Sequence, residues 1–269
     1  MRYAIASWDF LLEGVPLARQ IEWFADRGYD AVSFDPPRQP DLLEAGPLGE
    51  VTAVVRDRDL TVTLHGSFLI EPATVCVLAG RFGERLLNVT MNAPARPDSR
   101  GDLVDAGRVA ARLEEIERAT RGTDICFGTE DVPRDRLALE FYREAFEPLL
   151  ACPRFGIIID LGHMNMWLRT QEYYRGVSPS RYLADVPVPI IEVHVHDNCG
   201  RRDSHRPLGA GNLAVDEAAG ALRRRGFDRV STIEISPSSH GATVPESLPA
   251  AVESLRIWRT AFEKSGQGD

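Results

Sequence analysis

The stretch "IIEVHVHD", residues 190–197, alternates between aliphatic and ionisable side chains from Ile191 to His196. Ile191, Val193 and Val195 fall on one side, and Glu192, His194 and His196 fall on the other. Successive side chains of a β-strand point to opposite faces, so the run reads as a strand with one apolar face and one that carries chemistry. Which surroundings suit such a strand depends on its neighbours in the chain.

Seven further runs have the same length and β-branched character: "YAIASW" (3–8), "AVSFD" (31–35), "TVTLHG" (61–66), "LLNVTMN" (86–92), "ICFGTE" (125–130), "GIIIDLGH" (156–163) and "STIEIS" (231–236). Segments of helical period separate them. In "PLARQIEWFADRGY" the residues Leu17, Ile21 and Phe24 share a face, "DAGRVAARLEEIERAT" brings Val109, Leu113 and Ile116 together, and "ESLPAAVESLRIWRTAFEK" closes the series. Eight alternating strand–helix units in 269 residues have the rhythm of an α/β (β/α)8 TIM barrel. A doubly wound open sheet is the alternative, but no GxGxxG follows the first strand. No Gly-, Ser- or Pro-rich linker divides the chain, so residues 1–269 read as a single domain. The segment "MNMWLRTQEYYRGVSPSRYLADVPVP" after the sixth strand is long for a plain connection and is expected to carry a lid or an interface.

A hydrophobic content of 43% is enough for a substantial core. The four cysteines, Cys76, Cys126, Cys152 and Cys199, form no CxxC pair, so neither a zinc knuckle nor a disulfide framework is indicated. They suit a reduced cytoplasm. The N-terminus enters its first strand without the pattern of a secretory signal, no run reaches transmembrane length, and a net charge of −9 argues against a general binder of nucleic-acid backbones. A cytoplasmic protein with a small-molecule partner, no nucleic acid and no membrane is expected; a homo-oligomer is left open.

In a barrel strand, the apolar alternate residues face the helix layer and the others face inward. Ile191, Val193 and Val195 then pack on helices, sending Glu192, His194 and His196 inward. By the same phase Ile233 and Ile235 face out and Thr232 and Glu234 in; Ile125 and Phe127 face out and Glu130 in; Val62 and Leu64 face out and His65 in. Ile157 and Ile159 face out and Asp160 in, with His163 just beyond. Each ionisable residue stands at the C-terminal end of its run, the end where barrel enzymes keep their active sites. A lone Asp or His at a strand end is more often a structural hydrogen-bonder. Joint placement changes the reading: Glu130, Asp160, His194 and Glu234 meet at one mouth, where three carboxylates would repel one another without a cation. Together with the imidazole they make an oxygen-rich site for a divalent ion such as Mn2+, Mg2+, Co2+ or Zn2+. Trp8, Phe10 and Phe68 are candidates for stacking on a substrate ring, against the alternative of rim packing. His196 is placed either on substrate or behind a metal ligand, and Asp197 anchors the turn after its strand.

The motifs "LHGSFLI" (64–70), "GTED" (128–131), "DLGH" (160–163), "HVHDN" (194–198), "DSHRPLGAGN" (203–212) and "TIEI" (232–235) together resemble the xylose isomerase-like barrel superfamily, in its sugar phosphate isomerase/epimerase and endonuclease IV branches. The resemblance implies that Glu130, Asp160, His194 and Glu234 hold one metal, and that the two glutamates move a proton on and off the carbon beside a carbonyl. It further implies that His163, Asp203 and His205 match a third metal position of endonuclease IV-like members, and His65 a ligand of their first. The fourth strand departs from that pattern: "LLNVTMN" sets Thr90 inward beside Asn88 and Asn92 where the endonuclease has a histidine. The resulting expectation is a metal-dependent isomerase or epimerase of a sugar or similar polyhydroxy ketone, working through an enediolate. A keto-polyol dehydratase and a multi-metal phosphoesterase with two or three ions are the alternatives, and His65, His163, Asp203 and His205 would otherwise bind substrate.

Overall fold

The computed structural model describes residues 1–67, 69–94, 102–131 and 138–264, with only the backbone described for 138–142. Eight parallel strands pair in chain order: β1 Arg2–Ala6, β2 Ala31–Phe34, β3 Thr61–Gly66, β4 Leu86–Met91, β5 Cys126–Glu130, β6 Phe155–Asp160, β7 Ile190–Val195 and β8 Val230–Ile233. Because β1 hydrogen-bonds to both β2 and β8, the sheet closes into a barrel. Around it run α1 Leu17–Ala25, α2 Ala45–Asp57, α3 Pro72–Phe82, α4 Ala106–Ala119, α5 Ala138–Leu150, α6 Leu161–Thr170, α7 Pro179–Ala184, α8 Val215–Arg224 and α9 Val244–Lys264. None of these helices is long and apolar enough to cross a membrane.

The apolar phase of the strands faces the helices as the alternation requires. Val62, Leu64, Phe127, Ile157, Ile159, Val193, Val195 and Ile233 join Ile21 and Phe24 of α1, Val109, Leu113 and Ile116 of α4, and Trp258 of α9 in one continuous core. Burying each of these side chains contributes about 1.5–3 kcal/mol, and a slip of one residue would turn the whole set to the wrong face. That penalty fixes the register which delivers the ionisable phase to the barrel's interior.

Ile191 is an exception. The β6–β7 register shifts between Ile157 and Ile158, so that Ile157 pairs with Ile190 while Ile158 pairs with Glu192. This bulge turns Ile191 inward beside Glu192. Its side chain occupies space left by two inward glycines: a Cβ on Gly156 would lie 2.4 Å from Ile191 Cγ2, and one on Gly128 3.3 Å from Ile191 Cδ1.

The interior beneath the mouth is polar. Glu192, fully buried, accepts hydrogen bonds from Thr63 (3.1 Å), Asn88 (3.3 Å) and Thr232, so residues of four strands meet on one carboxylate. The segment after β6 forms packed structure: α6 runs directly out of the strand, Trp167, Tyr174 and Tyr182 bury their rings against one another, and Tyr173 is exposed.

Candidate metal centre

The sixth strand ends at Asp160, three residues earlier than its apolar run suggests, because Asp160 caps α6 by accepting from the backbone N–H of His163 at 2.8 Å. Its own N–H donates to Asp131 Oδ1 at 3.2 Å, and Asp131 Oδ2 accepts from the Tyr182 hydroxyl at 2.9 Å. The Asp160 backbone is thus tied to the residue after β5, while its carboxylate is held at the start of α6. That carboxylate takes His196 Nε2 at 3.0 Å, and the buried His196 ring stacks on His205 with centroids 3.9 Å apart.

His163, in the first turn of α6, places Nδ1 2.9 Å from Glu130 Oε1 and Nε2 3.0 Å from Asp203 Oδ2. His205 also meets Asp203 Oδ2, at 3.1 Å, and its Nδ1 donates to the Glu234 carbonyl at 3.1 Å. His205 adopts φ +37°, a conformation that costs a non-glycine residue free energy and is held here by those two bonds and the stack. Across the mouth, Glu234 Oε2 approaches His194 Nδ1 to 2.7 Å, while Glu192 Oε1 lies 3.7 Å from Nε2.

Three overlapping groups of donor atoms result, each group within 4.8 Å: Asp160 with His194 and Glu234; Glu130 with Asp160 and His163; and His163 with Asp203 and His205. Of the four residues expected to share one ion, Asp160, His194 and Glu234 fall in one group, while Glu130 joins Asp160 in a second group with His163. Their fit to a divalent cation rests on His194. Both of its ring nitrogens are buried and neither makes a hydrogen bond with a described residue, although a carboxylate oxygen stands 2.7 Å from one of them. Donors that crowd together without hydrogen-bond geometry are what a shared cation satisfies, and two carboxylates with an imidazole suit a borderline or hard divalent ion.

The electrostatics agree. Burial disfavours the charged rings of His163 and His194, yet Asp160 and Glu130 around the first, and Glu234 and Glu192 around the second, hold both pKa values well above the usual imidazole range. For His205 burial is likewise outweighed, by Glu234 and Asp203, which raise it to about 10. Burial also opposes ionisation of Asp160, Asp203 and Glu234, and here the surrounding imidazoles prevail and hold all three below the usual carboxylate range. The cluster demands positive charge, which protons supply when no metal does.

A polar cavity of about 330 Å³ adjoins these residues, lined by His65, Glu130, His205 and Glu234 and also by Asp9 and Arg38. Burial and then Glu234 push the Asp9 carboxyl up to about 6 against the pull of Arg38. Neither residue expected directly against substrate lines this cavity. Trp8 is buried with its ring tilted on His65 at 5.8 Å, and His196 is shut beneath Asp160 and His205. Phe10 is buried in the core against Phe24, and Phe68 lies outside the described residues. His65 does face the cavity but enters none of the three donor groups among the described residues. Its Nδ1 lies 3.2 Å from the Thr90 hydroxyl and its Nε2 3.1 Å from Asn92 Oδ1. Burial and the neighbouring His194 lower its pKa, which favours a neutral ring whose Nε2–H donates to Asn92 Oδ1, while the Thr90 hydroxyl beside Nδ1 donates to the Leu64 carbonyl.

Sequence reasoning passed over Asp131, Glu192, Asp9 and Arg38. For Asp131 the signal was its place directly after Glu130 in "GTED", and for Glu192 its inward phase; for Asp9 and Arg38 there was none.

A family model described as xylose isomerase-like TIM barrel matches residues 21–261. Over 264 residues, 87% of this chain and 83% of the other, the sequence is 26% identical to an uncharacterised protein of Methanocaldococcus jannaschii. Among solved structures the fold is similar to an IolI protein with a bound zinc atom, at a TM-score of 0.70 and 15% identity, covering 99% of this chain and 100% of that one. It is also similar to a D-tagatose 3-epimerase-like protein, at a TM-score of 0.66 and 20% identity, covering 99% of both chains. At these identities the likeness is one of fold.

Proposed function

Because the chain belongs to the xylose isomerase-like TIM barrel family, we propose that its mouth isomerises or epimerises a sugar or sugar-like polyhydroxy ketone with the help of a divalent metal ion. The observation that carries this reading is that Glu130 and Glu234, from the ends of β5 and β8, line one cavity and each shares a group of donor atoms with Asp160. When bound by Asp160, His194, Glu234 and Glu130, a divalent ion would supply Lewis-acid polarisation of a carbonyl and so make the adjacent C–H more acidic. That one of the two similar solved proteins holds a zinc atom and the other is described as D-tagatose 3-epimerase-like supports this reading.

The chain's own residues then divide the work. Glu234, held ionised by His194 and His205 despite its burial, is suited to take a proton from the carbon beside the carbonyl. Glu130, reaching in from another wall with His163 Nδ1 at 2.9 Å from its carboxylate, is placed to return one from the other side. His163 and Asp203 fix that carboxylate's orientation, and His65, engaged by Asn92 and Thr90, helps to line the polar cavity.

The test uses Glu130→Gln and Glu234→Gln. The metal-loaded enzyme is incubated with a panel of ketohexoses in D2O and deuterium beside the carbonyl is followed by NMR. Wild type should exchange that position, and each variant should lose at least about 100-fold of the rate, the usual scale of a general acid or base. Exchange persisting at the wild-type rate in both variants would overturn the scheme.

One observation favours a second reading, a multi-metal phosphoesterase: His163, Asp203 and His205 form a further donor group beside the first. Metal content separates the two, since about one ion per chain fits the isomerase and two or three fit the hydrolase.

A further inference from the structure

Asp9 and Arg38 play no part in the chemistry above, yet they line the same cavity, with Asp9 beside Glu234. Asp9 stands in the turn after β1, Arg38 in the loop after β2, and Ser236, Ser238 and Ser239 follow β8, so three adjacent strands build one wall. The proposed metal and proton-transfer residues come from β5 to β8 and the connections after β6 and β7. We infer that the Asp9–Arg38 pair is the specificity wall of this cavity: a charge-balanced clamp that grips hydroxyls of a neutral polyhydroxy ketone and rejects a ketone that carries a phosphate. This rests on the proposed function and says which members of that substrate class fit.

Size comes first. A cavity of about 330 Å³ is at the small end for ligand sites and suits a single sugar-sized molecule. Its wall is almost wholly hydrogen-bonding, so a ligand filling it must be polar along its length. Charge decides the rest. Among the described residues Arg38 is the only lysine or arginine lining the cavity, and its Nη2 is already 3.4 Å from Asp9 Oδ1. Asp9, with a side chain 6% exposed, also faces Glu234, His205 and Ser236. A phosphate would bring about −1.5 to −2 of charge beside Asp9 and Glu234, while the Arg38 guanidinium already faces Asp9 and both nitrogens of the charged His205 ring are taken by Asp203 and the Glu234 carbonyl. A hydroxyl brings no charge. It can donate to Asp9 and accept from Arg38, and the 3.4 Å separation, longer than the roughly 2.7–2.9 Å of a tight charge-assisted bond, leaves both groups capacity for it. Ser236 and Ser238, with hydroxyls 3.4 Å apart, extend the same donor–acceptor surface.

The experiment loads the full chain with Mn2+, confirms equal metal content, and measures Kd by calorimetry for fructose and fructose 6-phosphate on wild type, Asp9→Asn and Arg38→Met. Wild type should prefer the free sugar. Asp9→Asn removes the acceptor charge and releases Arg38, so fructose should bind about tenfold more weakly while the phosphate ester gains and the order reverses. Arg38→Met, at a side chain 43% exposed that the fold does not need, should weaken fructose and leave the ester excluded, which keeps the test alive if Asp9→Asn folds poorly. Tighter binding of the ester by wild type, or an unchanged preference in the variants, overturns the clamp and leaves the proposed function standing. Wild type that holds metal but binds neither compound overturns the proposed function and the clamp with it.

Discussion

Loading the centre with a divalent ion should expel protons, and the number expelled tells one ion from two. In the metal-free protein the rings of His163 and His194 have pKa values well above the usual imidazole range and that of His205 is about 10, so all three are charged at neutral pH. A ring that binds a metal must be neutral. An ion held by Asp160, His194 and Glu234 therefore displaces one proton, from His194, whereas an ion held by His163, Asp203 and His205 displaces two. Each displaced proton makes the binding constant rise about tenfold, or roughly 1.4 kcal/mol, per pH unit for as long as the pH stays below that ring's metal-free pKa. From about pH 6 upward the first site should thus gain about tenfold in affinity per pH unit and the second about 100-fold per unit, for as long as those rings keep their protons in the metal-free protein. Titrating Mn2+ calorimetrically at neutral pH in buffers of different ionisation enthalpy gives the proton count as the slope of apparent enthalpy against buffer enthalpy. A slope of zero together with a pH-independent affinity would refute the reasoning, because it would mean that His194 carries no proton for the ion to displace.

The same groups make the metal-free protein's stability depend on pH. The raised imidazoles contribute stability that is complete below their unfolded value of about 6.5 and is lost as pH rises through their folded values, near 10 for His205. The depressed carboxylates of Asp160, Asp203 and Glu234 contribute stability present above about pH 4 and lost as pH falls through their folded values. Thermal melts of metal-free protein should therefore peak between about pH 4.5 and 6.5 and decline toward alkaline pH, and a flat profile would contradict both sets of shifts. At the "PLGAGN" turn, Asp197 accepts from four backbone N–H groups: Asn198 (2.8 Å), Leu213 (2.9 Å), Gly209 (3.0 Å) and Gly211 (3.0 Å). Asp197→Ala should cost about 3–5 kcal/mol in urea denaturation, less than four separate penalties of about 1–3 kcal/mol each because water enters the vacated space, and Asp197→Asn about half as much. A loss under about 1 kcal/mol for the alanine variant would show that the turn holds without this anchor.

The barrel and its mouth were legible because period-two alternation survives in sequence whatever the strands pack against. Val193 and Val195 against His194 and His196 is such a pattern, and the same phase placed Glu130, Asp160 and Glu234 correctly at the rim. Ile191 was misread because a bulge adds a residue to one strand without changing its composition. The end of β6 was misread because Leu161 and Gly162 suit a strand as well as the first turn of a helix, and only the Asp160 side chain bonding to His163 N decides between them. His196 has the inward phase of its strand but lies one residue past its last paired position, where Asp160 draws it under the centre and away from the cavity. Asp9 and Arg38 carried no signal, since single charges in separate loops read as solvated surface until closure of β8 on β1 and β2 brings them to one wall.

The mouth alternates charge in a way that bears on how many ions it takes. Glu234 meets His194, Asp160 meets His196, and Glu130, His163, Asp203 and His205 follow in a line, so that every carboxylate has an imidazole beside it. The line stops at the fourth strand. There His65 is engaged by a hydroxyl and an amide, neither of which carries charge, and it stays neutral while three rings across the mouth do not. A metal position built on His65 would have to strip both of those bonds and would find no second imidazole on β4, where Thr90 fills the inward position. Cations are therefore drawn to the β5–β8 side of the barrel, and the β1–β4 side is left to neutral or charge-balanced hydrogen-bonding groups: His65, Asn92, Ser67 and the Asp9–Arg38 pair. That division leaves half the cavity free of metal and lined for hydroxyls, which is the arrangement a polyhydroxy ketone requires and a bridging phosphate ester does not.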